Sequence, residues 1–222
     1  MTLRIGHRGA RGLAPENTLA GIECAIAHHA HLVEFDVQRT QDGQLVVLHD
    51  ATLDRTTTGH GAVAQKPWAE LQPLTAGDGE RIPLLRDVLR TASGRTGVMI
   101  ELKAEGLAED VYDAVQASAF VGPVIYASFF HEELLTIHRL DRHAQTLALI
   151  EAVPINRTAF ATDAHATHVG LAYETLTPSF LAALHAQSLR VFVYTVNDPV
   201  DIRAAKSLGV DGIISDYPDR LR

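Results

Sequence analysis

Scarcity sets the first limits. Among 222 residues there is a single cysteine, Cys24, so no disulfide can close within the chain and a reducing compartment fits. No segment approaches the roughly 20 consecutive apolar residues of a membrane span. The chain opens Met1-Thr-Leu-Arg-Ile-Gly-His and enters a short strand, without the apolar run of about 7–15 residues that a secretory signal carries. The expectation is a cytoplasmic protein with no stable membrane association. Positive charge is also in short supply: 19 Lys and Arg stand against 27 Asp and Glu, a formal net charge of −8. Broad nucleic-acid binding is therefore excluded, because it needs a cationic surface to displace counterions from the phosphate backbone. A phosphate-bearing ligand of such a chain is small and is met by a local cation, a few basic side chains or a metal. Aromatic residues make up only 6% of the chain, and no apolar patch marks an interface with a second subunit.

What is present is a regular alternation. Hydrophobic residues reach 46% and charged residues 21%, enough to bury a substantial core. Short β-rich runs recur at Leu3–His7, Leu32–Val37, Val98–Lys103, Val124–Ser128, Thr146–Ile150, His168–Ala172, Arg190–Val196 and Gly212–Ser215. Helical patterns with apolar residues three and four apart lie between most of them: Asn17–His29, Pro83–Thr91, Leu107–Ala119, Glu132–Leu140, Pro178–His185 and Pro199–Leu208. Strand and helix in strict alternation imply parallel pairing, and eight such units imply an α/β fold of the closed (β/α)8 or TIM-barrel type, one domain over residues 1–222.

One interval breaks the pattern. After the second strand, Asp42-Gly43 is a strong tight-turn signal followed by the apolar run Leu45–Leu48. A β-hairpin is expected there, and a two-residue turn at Asp42-Gly43 would set His49 opposite Asp36. Residues 51–82 then turn polar and glycine-bearing, a compact insertion with a short helical piece near Trp68–Leu71 and too little apolar content for an independent core.

Barrel enzymes carry their chemistry at the carboxyl ends of strands. Here those ends read His7-Arg8-Gly9, Glu34-Phe-Asp36, His49-Asp50 and Glu101-Leu-Lys103. Glu34 and Asp36 are two apart and share the inward face of a strand, as do Glu101 and Lys103. Three carboxylates converging in an enclosed space repel one another unless a cation joins them. Glu34, Asp36 and Glu101 are accordingly read as ligands of one divalent ion, and an all-oxygen set suits magnesium or calcium, with manganese as a further option. His7 and His49 would flank the ion as an acid/base pair, since imidazole titrates near neutrality. Arg8 and Lys103 would meet phosphate oxygens. Phe129 and Tyr194 follow strand ends and are candidates to pack against substrate carbons. The other histidines, among them His28, His29, His31, His138 and His185, read as surface or helix residues, and His60 sits in the insertion.

Taken in order, His7-Arg-Gly, Pro15-Glu-Asn-Thr, Glu34-x-Asp36, Val47-Leu-His49-Asp, Arg55-Thr-Thr, Ile100-Glu-Leu-Lys103, Tyr194-Thr-Val-Asn197 and Gly209-Val-Asp-Gly-Ile-Ile-Ser-Asp216 resemble the glycerophosphodiester phosphodiesterases from the first strand to the last. The resemblance implies hydrolysis of a glycerophosphodiester to glycerol 3-phosphate and an alcohol such as choline, ethanolamine or glycerol. It implies the same roles for His7, His49, Glu34, Asp36, Glu101, Arg8 and Lys103. It adds Glu16 as a further site residue, whose other reading is first-turn helix chemistry around an Asn17 cap. Where such proteins often carry tryptophan before Thr-Val-Asn, this chain has Tyr194. Two alternatives remain: hydrolysis of a lipid-bearing diester in the manner of a lysophospholipase D, and a barrel that binds metal and phosphate without turnover.

Overall fold

The computed structural model describes residues 2–222. Eight strands run parallel around a barrel: β1 (Leu3–Gly6), β2 (Leu32–Arg39), β4 (Gly97–Leu102), β5 (Val124–Ser128), β6 (Gln145–Ile150), β7 (His168–Ala172), β8 (Arg190–Tyr194) and β9 (Gly212–Ser215). Each pairs with the next along the chain, and β1 closes the circle by pairing with both β9 and β2. The ninth strand, β3 (Leu45–Val47), lies outside the ring and runs antiparallel to β2. Helices α1 (Leu19–Ala27), α3 (Leu85–Ala92), α4 (Ala108–Ala117), α5 (His131–Leu140), α7 (Pro178–His185) and α8 (Pro199–Leu208) connect the barrel strands. Two four-residue helices, α2 (Trp68–Leu71) and α6 (Ala159–Thr162), complete the set.

The alternation of side chains along each strand divides two cores. Val33, Phe35 and Val37 of β2 and Val98, Ile100 and Leu102 of β4 face outward against α1 and α3. Ile5, Leu32, Met99, Ile125, Leu147, Leu149, Phe192 and Ile214 fill the barrel interior. Gly212 makes room for one of them: a Cβ there would lie 2.6 Å from the Phe192 ring.

Several elements differ from the sequence expectation. The first strand stops at Gly6, the third of the barrel at Leu102 and the seventh at Tyr194, so His7 and Lys103 begin the loops beyond and Val196 lies two residues past its strand. Helix α1 starts later than expected, because Thr18 is its cap and accepts from the Gly21 N–H at 3.1 Å. Asn17 is no cap and has a left-handed backbone, φ 56°. His168 is not a surface residue: it is 3% exposed, at the start of β7, with its ring 5.1 Å from that of Phe192.

The hairpin is one residue out of the expected register. Val37 pairs with Val47, Gln38 with Val46 and Arg39 with Leu45, so Leu48 faces Asp36, donating its N–H to the Asp36 carbonyl at 3.0 Å. The cause lies in the turn. The Thr40 hydroxyl accepts from the Gln44 N–H at 2.9 Å, and the Thr40 N–H donates to the Gln44 carbonyl at 2.9 Å. Those bonds enclose three residues, with Gly43 at φ 81°, in place of the two-residue turn. The insertion does build a small core, but a borrowed one: Leu53, Val63, Leu71, Ala76 and Ile82 pack with Val46 and Leu48 of the hairpin.

Candidate active site

At the carboxyl ends of the strands, a cavity of about 190 Å³ is lined by His7, Arg8, Glu34, His49, Glu101, Lys103, Phe129 and Tyr194, among others. Eight of the ten expected site residues therefore meet in one place. Asp36 lies just beneath and Glu16 behind Arg8. A larger cleft of about 710 Å³, between Trp68, Ile82 and Asp87, contains none of them.

His7 enters from the β1 end and His49 from the hairpin. The Gln38 amide, which donates to the His49 carbonyl at 3.2 Å, anchors the latter where β3 gives way to loop. Each imidazole has a carboxylate behind it. Nδ1 of His7 lies 2.7 Å from Asp216 and Nδ1 of His49 lies 2.6 Å from Asp50. A carboxylate accepts only, so Nδ1 carries the proton and Nε2 is left as the reactive nitrogen. The carboxylates are held in turn: Asn197 donates to Asp216 at 2.8 Å, and the Arg55 fork grips Asp50 at 2.7 and 2.9 Å. Burial, helped by the Arg8 and Lys103 charges and opposed by the Asp36 charge and the Asp50 hydrogen bond, leaves His49 below its ordinary pKa, which favours the neutral form near neutrality.

Glu34, Asp36 and Glu101 bring one oxygen each within 4.8 Å of one another. Glu34 and Asp36 are only 2% and 1% exposed. Burial first, then mutual repulsion, pushes the Glu34 and Glu101 carboxyls well above the usual carboxylate range. One oxygen of Glu34 is held by the Arg8 N–H at 2.6 Å, and one oxygen of Asp36 by the Asn17 amide at 2.8 Å. The other oxygens, Oε1 of Glu34 and Oδ1 of Asp36, are buried without a hydrogen-bond partner. Buried orphan acceptors on crowded carboxylates are what a divalent cation would satisfy, so the residues fit a metal with hard oxygen ligands.

Two cations rim this cluster. Lys103 Nζ is 2.6 Å from Glu101 and 3.6 Å from Asp36. Arg8 sits on a left-handed backbone, φ 48°, beside Gly9 at φ 85°. A Cβ at Gly9 would meet the Gly21 backbone at 2.5 Å, so only glycine lets this loop fold against α1 and aim Arg8 inward. Glu16 neutralises Arg8 at 2.8 Å and takes a two-pronged contact from Arg55 at 2.8 and 2.9 Å. Burial would raise the Glu16 pKa, but the bonds from Arg55 and Arg8 hold it at about 2. Glu16 is thus a strut between two arginines, linking Arg8 through Arg55 to the Asp50 behind His49.

The model of the glycerophosphoryl diester phosphodiesterase family matches residues 7–220. That span runs from His7 past Asp216 and covers every group described above. The chain belongs to this family. Among its phosphodiesterase relatives, the glycerophosphodiester phosphodiesterase of Caldanaerobacter subterraneus is 33% identical, over 99% of this chain and 96% of that one. That of Bacillus altitudinis is 32% identical, over 99% and 96%. The glycerophosphodiester phosphodiesterase of Agrobacterium tumefaciens superposes with a TM-score of 0.87 at 31% identity, covering 100% of this chain and 99% of that one. An Oleispira antarctica phosphodiesterase, solved with its product sn-glycerol-3-phosphate, gives a TM-score of 0.91 at 29% identity over 98% and 94%.

The candidate site also contains residues that do not end a strand or were not expected there. Asp50 adjoins His49 and Asp216 follows the last strand, so both lay within motifs already noted. Asn17, Asn197 and Arg55 also lie within motifs already noted, but they bond Asp36, Asp216 and Asp50 from other parts of the chain, and those partners are not evident from the motifs alone.

Proposed function

We propose that the protein hydrolyses glycerophosphodiesters to glycerol 3-phosphate and an alcohol. The observation that carries this reading is the opposition, within one cavity, of two carboxylate-backed histidines beside a buried three-carboxylate cluster and two cations. Glu34, Asp36 and Glu101 would hold one divalent ion, calcium, magnesium or manganese, which when bound supplies positive charge against phosphoryl oxygens. Arg8 and Lys103 would bind the remaining non-bridging oxygens of the phosphate. With Nδ1 fixed by Asp216 and Asp50, the two Nε2 atoms divide the proton work. One takes a proton from the attacking water, or from a substrate hydroxyl whose cyclic phosphate water then opens, and the other delivers a proton to the departing alkoxide, each transfer being worth about 10²–10⁴-fold. Asn17 would keep Asp36 oriented, and Glu16 would keep Arg8 and Arg55 in place. Phe129 and Tyr194 would pack against substrate carbons. No helix among the described residues is long and apolar enough to cross a membrane, and small water-borne diesters suit a cavity of this size better than lipids.

The test is release of glycerol 3-phosphate from glycerophosphocholine by purified protein with calcium, magnesium or manganese, against a chelator control. Chelator-sensitive release is the expected result. No release with any of the three ions or with any other headgroup would overturn the reading.

A further inference from the structure

The cavity is electrically lopsided. Arg8, Lys103 and the carboxylate cluster occupy the side formed by β1, β2 and β4. The opposite wall, at the ends of β6, β7 and β8, carries Glu151 and, just beyond it, Glu174. Glu151 follows β6 directly and lines the cavity. Glu174 stands two residues past the end of β7. Neither takes part in an ion pair among the described residues. Both bear on Tyr194: burial first, then the Glu151, Glu101 and Glu174 charges, push its hydroxyl well above the ordinary phenol pKa. Tyr194 donates to the Ile150 carbonyl at 3.2 Å, which fixes its ring at the wall, and Phe129 meets that ring edge-on at 6.3 Å and 86°. Aromatic rings beside an uncompensated carboxylate are the surroundings in which an organic ammonium is held, quaternary ones above all because they have no hydrogen to donate.

We propose that Glu151, together with Phe129 and Tyr194, forms a subsite for a positively charged leaving alcohol, so that the enzyme selects zwitterionic glycerophosphodiesters over neutral ones. The inference rests on the phosphodiesterase reading above and adds the direction in which the substrate lies. The phosphate faces Arg8 and Lys103, and the ammonium faces Glu151. An exposed rim carboxylate with no cavity function is the competing account, and it predicts no discrimination between headgroups of similar size.

The experiment compares kcat/KM for glycerophosphocholine and glycerophosphoglycerol in wild type, Glu151→Gln, Glu151→Lys and Glu174→Gln at saturating metal. Wild type is expected to favour the choline diester. Glu151→Gln lowers that ratio about 3- to 10-fold, Glu151→Lys lowers it further, and Glu174→Gln moves it the same way by less, because Glu174 does not line the cavity. The wild-type preference also shrinks as salt is added, because the carboxylate is solvent-accessible. Turnover of both diesters with no wild-type preference, or with a ratio that Glu151→Gln leaves unmoved, overturns the subsite alone. Turnover of neither diester with any ion overturns the phosphodiesterase reading and the subsite with it.

Discussion

Imidazole offers two nitrogens, and at His7 and His49 carboxylates decide which of them carries the proton. Asp216 and Asp50 lie against Nδ1 of His7 and His49; without them the imidazoles would be free to carry the proton on Nε2 and so lose the acceptor nitrogen that the proposed mechanism needs. Asp216→Asn keeps shape and volume but can donate to Nδ1, which stabilises the wrong tautomer. We expect kcat to fall about 10²–10⁴-fold with KM and metal affinity little changed, and a loss smaller than about threefold would remove Asp216 from the mechanism. His168 makes a second prediction, about stability. Burial, with the Arg190 charge adding to it, lowers its pKa to about 4 from 6.5. Between those values the unfolded chain takes up a proton that the folded chain refuses, so stability is lost as pH falls from about 6.5 to 4 and not further below. At about 1.4 kcal/mol per unit the loss approaches about 3 kcal/mol. Denaturant titrations at pH 7, 5 and 4 should show it, and His168→Leu should flatten it; an equal slope in the variant would refute the assignment. At this scale the sequence reveals reactive groups but hides their supports. His7 and Glu34 announce themselves by falling at or near the carboxyl ends of the strands expected from the sequence, whereas Asn17 matters only because the chain brings it to Asp36, 19 positions away.

Elements are set by local pattern until a side chain intervenes. The eight barrel strands were legible as apolar runs between helical stretches, because period-two burial leaves its mark in the residues themselves. Their order required no further information, since alternating strands and helices pair parallel and in sequence. The hairpin register was not legible. Asp42-Gly43 carries the signal of a two-residue turn, but the Thr40 hydroxyl captures the Gln44 N–H, and Asp42 turns away to accept from Thr40 at 2.6 Å and from the Trp68 N–H at 2.9 Å. His49 reaches the cavity by leaving the strand, and not by facing Asp36 across it. A similar long-range contact governs α4. Its first turn has no cap of its own. Instead the buried Glu133 of α5 accepts from the N–H groups of Gly106, Leu107 and Ala108 at 2.7, 2.9 and 2.8 Å. A carboxylate on three N-terminal donors is favoured by both hydrogen bonding and the helix dipole. Glu133→Ala should therefore cost about 2–4 kcal/mol, lowering Tm by about 4–16 °C. Glu133→Gln should retain part of that, and an unchanged Tm in the alanine variant would contradict the capping role.

Closure of the barrel is what turns scattered strand ends into a site. Residues 7, 34, 49, 101 and 216 come from opposite ends of the chain, and they meet because β1 pairs with β9 on one side and with β2 on the other. That arrangement carries an energetic penalty. Glu34, Asp36 and Glu101 crowd three carboxylates into a region shielded from water, and Arg8 and Lys103 offset only part of their charge. A divalent ion that binds this cluster binds the folded chain and not the unfolded one, so it must raise stability by mass action. At a concentration one hundred times the dissociation constant the gain is about 2.7 kcal/mol, which for a chain of this length raises Tm by about 5–11 °C. We expect calcium, magnesium or manganese to produce that shift and a chelator to reverse it. Glu101→Gln tests its origin without reference to activity. The amide removes one charge from the crowded cluster, so the chelated variant should melt at or above the temperature of the chelated wild type. It should also lose most of the metal-induced rise, because a neutral amide is a poorer ligand than a carboxylate. If Glu101→Gln kept the full rise, the ion would be bound elsewhere. If no divalent ion moved the wild-type Tm, the three carboxylates would have to be held together by Arg8, Lys103 and shared protons alone.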